Sequence, residues 1–85
     1  MITYEDFAKL DIRIGKVLSA EKIEETDKLL KLEVDFFQEK RQIVSGIAQF
    51  YSPDDIIGKE FPFIFNLEPR VIRGVESQGM ILAVN

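Results

Sequence analysis

The chain has 85 residues, of which 46% are hydrophobic and 11% aromatic, enough apolar material for the core of one domain over residues 1–85. It contains neither cysteine nor histidine. Disulfides, thiolate or imidazole metal sites and histidine-assisted nucleophiles are therefore excluded. The net charge of −4 opposes nucleic-acid binding unless the 11 basic residues gather on one face.

Two short helices are predicted. Thr3 and Asp6 have approximately the spacing of a capping box, and Phe7 and Leu10 would form the buried side of an N-terminal helix. The second helix is predicted over residues 52–58, which begin with a serine, a proline and two acids and end at a glycine.

Alternating apolar and polar residues predict five strands, the clearest from Leu30 to Phe36. Gly15 interrupts the first strand, as is typical of a bulge or a sharp bend. The predicted strands span residues 10–23, 30–36, 42–47, 60–67 and 78–84, and residues 68–76 form a polar connection. This order, with a helix between strands three and four, predicts an all-β, five-stranded OB-fold barrel, with an SH3-like barrel or a small sandwich as alternatives.

The last two predicted strands are apolar on both faces. Phe63 and Ile64 point to opposite faces of strand four, and Met80 and Ile81 do the same in strand five. A small barrel has one interior, so something must cover the outer face. We expect the N-terminal helix to cover part of it and a second copy to cover the rest, which predicts a homodimer.

No catalytic site, metal or cofactor is predicted. The acidic pairs Glu24-Glu25 and Asp54-Asp55 stand in polar, turn-like segments, where solvated carboxylates are expected. No apolar run is long enough to cross a bilayer, and no secretory signal opens the chain. We therefore expect a cytoplasmic protein without a membrane partner.

Three segments place basic, amide and hydroxyl side chains beside glycines and apolar strand residues: 27–30, 41–48 and 70–80. Together they closely resemble the tRNA-binding domain appended to methionyl-tRNA synthetases and found in free-standing tRNA-binding proteins. The resemblance extends over residues 6–83. It implies an OB-fold, tRNA as the partner, a non-catalytic role and association with an aminoacyl-tRNA synthetase.

Four basic residues fall on one side of the predicted barrel, where the loops between strands one and two and between strands four and five flank the oligonucleotide-binding face of an OB-fold. Lys28 ends the first of these loops, Arg70 and Arg73 lie in the second, and Arg41 begins strand three. Guanidinium and ammonium groups suit phosphate. Four phosphate contacts predict a log–log salt slope of roughly −3 to −4.

The resemblance implies that four residues contact RNA: Arg73, Ser77, Gln78 and Met80. Ser77 and Gln78 would hydrogen-bond bases or the 2′-hydroxyl, and the alternative is a bulge and turn that close the barrel. Asn66 would contact a nucleotide or cap its loop. The predicted tRNA-binding residues are Lys28, Arg41, Asn66, Arg70, Arg73, Ser77, Gln78 and Met80.

Two further interpretations concern side chains outside this set. Phe37 and Tyr51 suggest base stacking, although a structural role is favoured for both. Asp11 and Arg13 share the outward face of the first strand, where they would pair with each other.

A function of another class is also considered. The architecture and the opening helix and strand are similar to those of a bacterial export-associated chaperone, which would hold unfolded chains on an exposed apolar surface. Residues 41–48 and 73–80 follow the tRNA-binding pattern, so tRNA binding is favoured. A domain that docks onto a synthetase is compatible with it.

Overall fold

The computed structural model describes residues 1–82, which form an all-β, OB-like barrel with two short helices. The predicted fold class is confirmed. In chain order the elements are α1 (Tyr4–Ala8), β1 (Ile12–Lys22), β2 (Leu30–Asp35), β3 (Lys40–Ser45), α2 (Pro53–Ile56), β4 (Glu60–Ile64), β5 (Arg70–Ile72), β6 (Val75–Ser77) and β7 (Met80–Ile81).

A five-stranded antiparallel sheet in the order β3-β2-β1-β4-β7 curls around the core. β1 pairs with β4 through its first half and with β2 through its second half, and its register shifts between Val17 and Ser19. A bulge at this position increases the local twist, which allows β1 to pair with both β4 and β2. Of the bulge or sharp bend predicted at Gly15, the bulge is wrong, because Gly15 pairs with Phe61 in regular register. A Cβ at Gly15 would lie 2.5 Å from Val34 and 2.7 Å from Phe36, so glycine permits close packing instead.

The segment predicted as a polar connection, residues 68–76, contains a hairpin. β5 and β6 pair antiparallel, with Ile72 opposite Val75. Arg73 and Gly74 form the loop, with φ of 53° and 77°. Positive φ at both loop residues is the pattern of a type I′ turn. The prediction missed this hairpin because three-residue strands are too short to show alternation, and only Gly74 signalled the turn.

The core is one cluster on the concave side of the sheet. Phe36 joins two other aromatic rings of the cluster, with its ring edge-on to Phe63 at 5.3 Å and to Phe65 at 5.1 Å between centroids. The alternation predicted for β2 is confirmed, since its three apolar residues are fully buried. The cluster comprises Val17, Leu30, Leu32, Val34, Phe36, Ile43, Ile56, Phe63, Phe65 and Ile81.

The N-terminal helix forms as predicted but packs differently. The capping box is confirmed: Thr3 Oγ1 accepts from the Asp6 N–H at 3.2 Å, and the Asp6 carboxylate accepts from the Thr3 N–H at 3.3 Å. No residue of α1 is buried, and Phe7 is 50% exposed, so the prediction of Phe7 on a buried side is wrong. Leu10 is half-buried.

The convex side of the sheet carries exposed apolar residues. Ile12 stands opposite Ile64, and Ile64 stands opposite Met80, so the three side chains share one face across β1, β4 and β7. Ile14 lies two residues along on the same face, and Ile12, Ile14 and Met80 are 42%, 51% and 50% exposed. We call these four residues the outer apolar face. Residues 83 and 84, which the predicted fifth strand includes, lie outside the described residues.

Candidate nucleic-acid interface

Ser77 is a buried residue that joins β6 to β3. It ends β6 and is only 4% exposed. Its Oγ accepts a hydrogen bond from the Val44 N–H at 2.9 Å and donates to the Gly79 carbonyl at 3.0 Å. The hydroxyl therefore serves as the hydrogen-bond partner that the β3 backbone would otherwise find in another strand. This agrees with the alternative prediction that Ser77 helps to close the barrel.

Gln78 extends the same junction by one residue. Its N–H donates to the Gln42 carbonyl at 2.8 Å, and its Oε1 accepts from the Gln42 N–H at 3.0 Å. The Gln42 amide in turn donates to the Glu76 carbonyl at 2.7 Å. Side-chain amides thus join β3 to the segment after β6. Contact of Ser77 and Gln78 with RNA stays a prediction.

Arg41 is engaged mainly within the protein. Its Nη1 donates to the carbonyls of Phe65 at 2.5 Å and Gln78 at 3.2 Å, and its Nε donates to Glu39 at 3.1 Å. The guanidinium carbon lies 3.4 Å from the centroid of the Phe65 ring, a cation–π geometry. Arg41 therefore ties β3 to the end of β4, which uses three of its five N–H donors.

Asn66 holds the chain that leads into β1. Its Oδ1 accepts from the Asp11 N–H at 2.8 Å, and its Nδ2 donates to the Lys9 carbonyl at 2.7 Å. The side chain thus caps backbone groups 55 and 57 residues away in sequence. We call Arg41, Asn66, Ser77 and Gln78 the closure residues, because their side chains join distant backbone segments.

Asp11 and Arg13 form the predicted pair, and the pairing is confirmed. The predicted outward face is wrong, because Arg13 stands opposite the buried Phe63 on the core side of the sheet, whereas Ile12 and Ile14 point outward. The Arg13 guanidinium donates to the Asp11 carboxylate at 2.9, 3.1 and 3.2 Å. This hydrogen bonding lowers the pKa of Asp11 and raises that of Arg13. The Arg13 guanidinium also lies 3.9 Å from the centroid of Phe65, so that ring contacts two arginines.

Lys28, Arg70 and Arg73 differ from the closure residues. All three are exposed, and their side chains make no ion pair or hydrogen bond with another of residues 1–82. Arg70 begins β5 opposite Ser77, and Arg73 stands at the tip of the hairpin. The folded chain therefore presents these cations to solvent, and we call Arg70 and Arg73 the hairpin arginines.

Two cavities adjoin the hairpin and share residues 67–69 of the β4–β5 loop. The first, of about 350 Å³, is lined by Arg70 and Ser77 and by apolar side chains that include Met80. The second, of about 380 Å³, is lined by Arg41, Asn66 and Gln78 among others. Six of the eight predicted site residues therefore line two neighbouring cavities, whereas Lys28 and Arg73 lie outside their lining.

Two negative findings concern the described part of the chain. Within residues 1–82 no group of three or more acidic side chains is arranged to hold a metal ion. No helix in the same range is long and apolar enough to cross a membrane.

An OB-like barrel with exposed arginines beside two loop cavities is the architecture of a nucleic-acid-binding module. A family model described as a putative tRNA binding domain matches residues 12–85. The chain belongs to this family of tRNA-binding domains, and the resemblance seen in the sequence is confirmed.

Several relatives are close in sequence or structure. A methionine–tRNA ligase of Methanoculleus marisnigri is 59% identical over 83 residues, which are 98% of this chain and 12% of the ligase. A protein related to methionyl-tRNA synthetase from Pyrococcus horikoshii has a TM-score of 0.91 at 46% identity, covering 96% of this chain and 75% of that one. The chaperone CsaA of Bacillus anthracis has a TM-score of 0.87 at 32% identity, covering 100% and 78%. The chain thus spans about an eighth of the length of the ligase it matches.

Proposed function

We propose that this domain binds tRNA non-catalytically, by shape and backbone rather than by sequence, and assists an aminoacyl-tRNA synthetase of the methionyl type. The observation that carries the proposal is the pair of hairpin arginines, which are exposed and unpaired within residues 1–82 of a chain of the tRNA-binding family. The likeness to methionine–tRNA ligases supports the choice of synthetase. Such a role places the domain in the cytoplasm, without a membrane partner.

The electrostatic contribution comes from fewer residues than the sequence suggested. Arg41 is largely engaged by carbonyls and Glu39, so Lys28, Arg70 and Arg73 are the basic members of the predicted set that remain available. Three phosphate contacts give a log–log salt slope of about −2 to −3. This is a modest affinity, suited to raising the local concentration of tRNA near a partner enzyme.

A homodimer would strengthen that affinity by presenting two such faces to one tRNA. The outer apolar face supports this part of the proposal, because Ile12, Ile14 and Met80 are each about half exposed on one side of the sheet. The α1 helix does not bury that face, contrary to the sequence expectation, because these three side chains stay exposed within residues 1–82. Sedimentation equilibrium of the wild-type chain and of Ile14→Glu tests the dimer.

Fluorescence anisotropy of labelled tRNA, titrated with the protein at several salt concentrations, tests the binding proposal. We expect binding that weakens with salt, is tighter than for duplex DNA of equal length, and is weaker for Arg73→Ala. Lys59→Ala is the matched control, because Lys59 is an exposed base beside α2. Absence of binding at low salt by the folded, dimeric protein would contradict the proposal. So would equal losses for the two variants.

The likeness to the chaperone CsaA favours a second candidate, a domain that holds unfolded chains. Binding of that kind would use the outer apolar face and would depend little on salt. Suppression of aggregation of a reduced, unfolded substrate by the wild type but not by Ile14→Glu would support it. If this occurs without salt-dependent tRNA binding, the chaperone function replaces the first proposal.

A further inference from the structure

We propose that Phe37 is a stacking residue that contacts an unpaired base of the bound RNA. This inference rests on the proposed function and adds a contact point to it. A structural role is favoured for Phe37 from the sequence, but its side chain is 71% exposed and therefore is not part of the core.

The ring stands at the tip of the β2–β3 hairpin. Phe37 and Gln38 form a two-residue loop, closed by a hydrogen bond from the Phe36 N–H to the Glu39 carbonyl at 2.9 Å. Phe37 has a φ of 75°, whereas Gln38 is not among the residues with positive φ. Positive φ at the first loop position alone is the pattern of a type II′ turn, in which that position favours glycine.

An aromatic side chain here therefore opposes the local stability of the turn. A residue other than glycine in the left-handed region is strained, and Phe37 gains little compensation from burial. The Asp35 carboxylate accepts from the Phe37 N–H at 2.7 Å and fixes the loop in this conformation. The backbone of Phe37 is strained and held in place while its ring is exposed, an arrangement suited to meeting a ligand.

The hairpin tip lies next to the candidate interface. Glu39, which closes the turn, and Arg41 both line the second cavity. The ring of Phe36 packs 5.1 Å from that of Phe65, which lines the same cavity. RNA that fills this cavity would pass the tip of the hairpin.

The surroundings of Phe37 favour a base over an apolar protein surface. The next residues along the chain, Gln38, Glu39 and Lys40, are polar and exposed. A protein partner of the hydrophobic kind requires a contiguous apolar patch, whereas a base needs only one accessible ring face. The ammonium of Lys40, exposed three residues later, supplies a cation for the adjoining phosphate.

The substitution Phe37→Gly separates structure from binding, because the two properties should change in opposite directions. Glycine suits a φ of 75°, so the melting temperature should stay the same or rise. Loss of one stacked base should weaken tRNA binding about 5-fold to 100-fold in anisotropy titrations. Phe50→Gly is the matched control, because Phe50 is 60% exposed but lies between β3 and α2. It should leave the affinity for tRNA unchanged.

The substitution Phe37→Trp gives a direct spectroscopic measurement, since the chain contains no tryptophan. Its emission should be quenched on addition of tRNA or of a single-stranded RNA 12-mer, and Phe50→Trp should show no such quenching. Wild-type affinity for tRNA in a folded Phe37→Gly protein would overturn the inference. Quenching by an unfolded polypeptide but not by RNA would also overturn it, in favour of a protein ligand. Failure of the wild type to bind tRNA would instead refute the proposed function.

Discussion

The closure residues and the hairpin arginines belong to one predicted site, but the fold uses them differently. The closure residues, such as Arg41 and Ser77, use their side-chain hydrogen-bonding groups to bind distant backbone segments. Arg70 and Arg73 make no such contacts within residues 1–82 and stand in solvent. The predicted site therefore combines residues that hold the barrel together with residues whose side chains remain exposed to solvent. Substitutions should distinguish the two groups by whether stability or affinity changes.

The largest expected effect is that of Arg41→Ala. It leaves the Phe65 and Gln78 carbonyls without their donor and removes the cation–π contact. We expect a loss of about 2–3 kcal/mol in the free energy of unfolding, measured by urea denaturation. Arg41→Lys should lose much of this as well, since an ammonium cannot reproduce the planar fork. Unchanged stability with lost tRNA affinity would place Arg41 with the hairpin arginines instead.

Ser77→Ala should have the next largest effect. The buried Val44 N–H would lose its partner, at a cost of about 1–3 kcal/mol in the free energy of unfolding. Ser19→Ala, at an exposed position of β1, is the control and should stay within about 0.5 kcal/mol of the wild type. If the two variants unfold at the same urea concentration, Ser77 does not close the barrel as described.

Arg70→Gln should give the opposite result. Its side chain is exposed and makes no ion pair within residues 1–82, so we expect stability within about 0.5 kcal/mol of the wild type. The log–log salt slope of tRNA binding should become shallower by about 1, because one phosphate contact is lost. Lys59→Gln should leave the slope unchanged. A destabilised Arg70→Gln protein would remove the distinction between the two groups.

The smallest expected effect concerns the acid dependence of the Asp11–Arg13 pair. The Arg13 hydrogen bond lowers the pKa of Asp11 in the folded state below its unfolded value. The stabilisation is therefore present above the unfolded pKa, near 4, and is lost as the pH falls through the folded pKa. Asp11→Asn should be less stable than the wild type at pH 7, and this difference should shrink by pH 2. A stability difference between Asp11→Asn and the wild type that is the same at pH 2 as at pH 7 would contradict this account.

The sequence predicted several features because they depend on neighbouring residues. The alternation in β2 sends Leu30, Leu32 and Val34 to the core, since the side-chain period of a strand is two. The capping box at Thr3 and the pair of Asp11 with Arg13 involve residues two or three apart. The resemblance to tRNA-binding domains likewise depended on short motifs, and the family match confirmed it.

Other features needed contacts between residues far apart in sequence. Burial of Ser77 depends on Val44, 33 residues away, and the engagement of Arg41 depends on carbonyls 24 and 37 residues away. The exposure of α1 likewise could not be read from its own residues, because burial of a helix depends on the elements around it. The local sequence pattern determines where strands and caps form and which side chains are candidates for the core, because strand and cap geometry repeat over a few residues. Only the tertiary structure decides which polar groups are used inside the barrel and which remain for a ligand, because their partners come from distant parts of the chain.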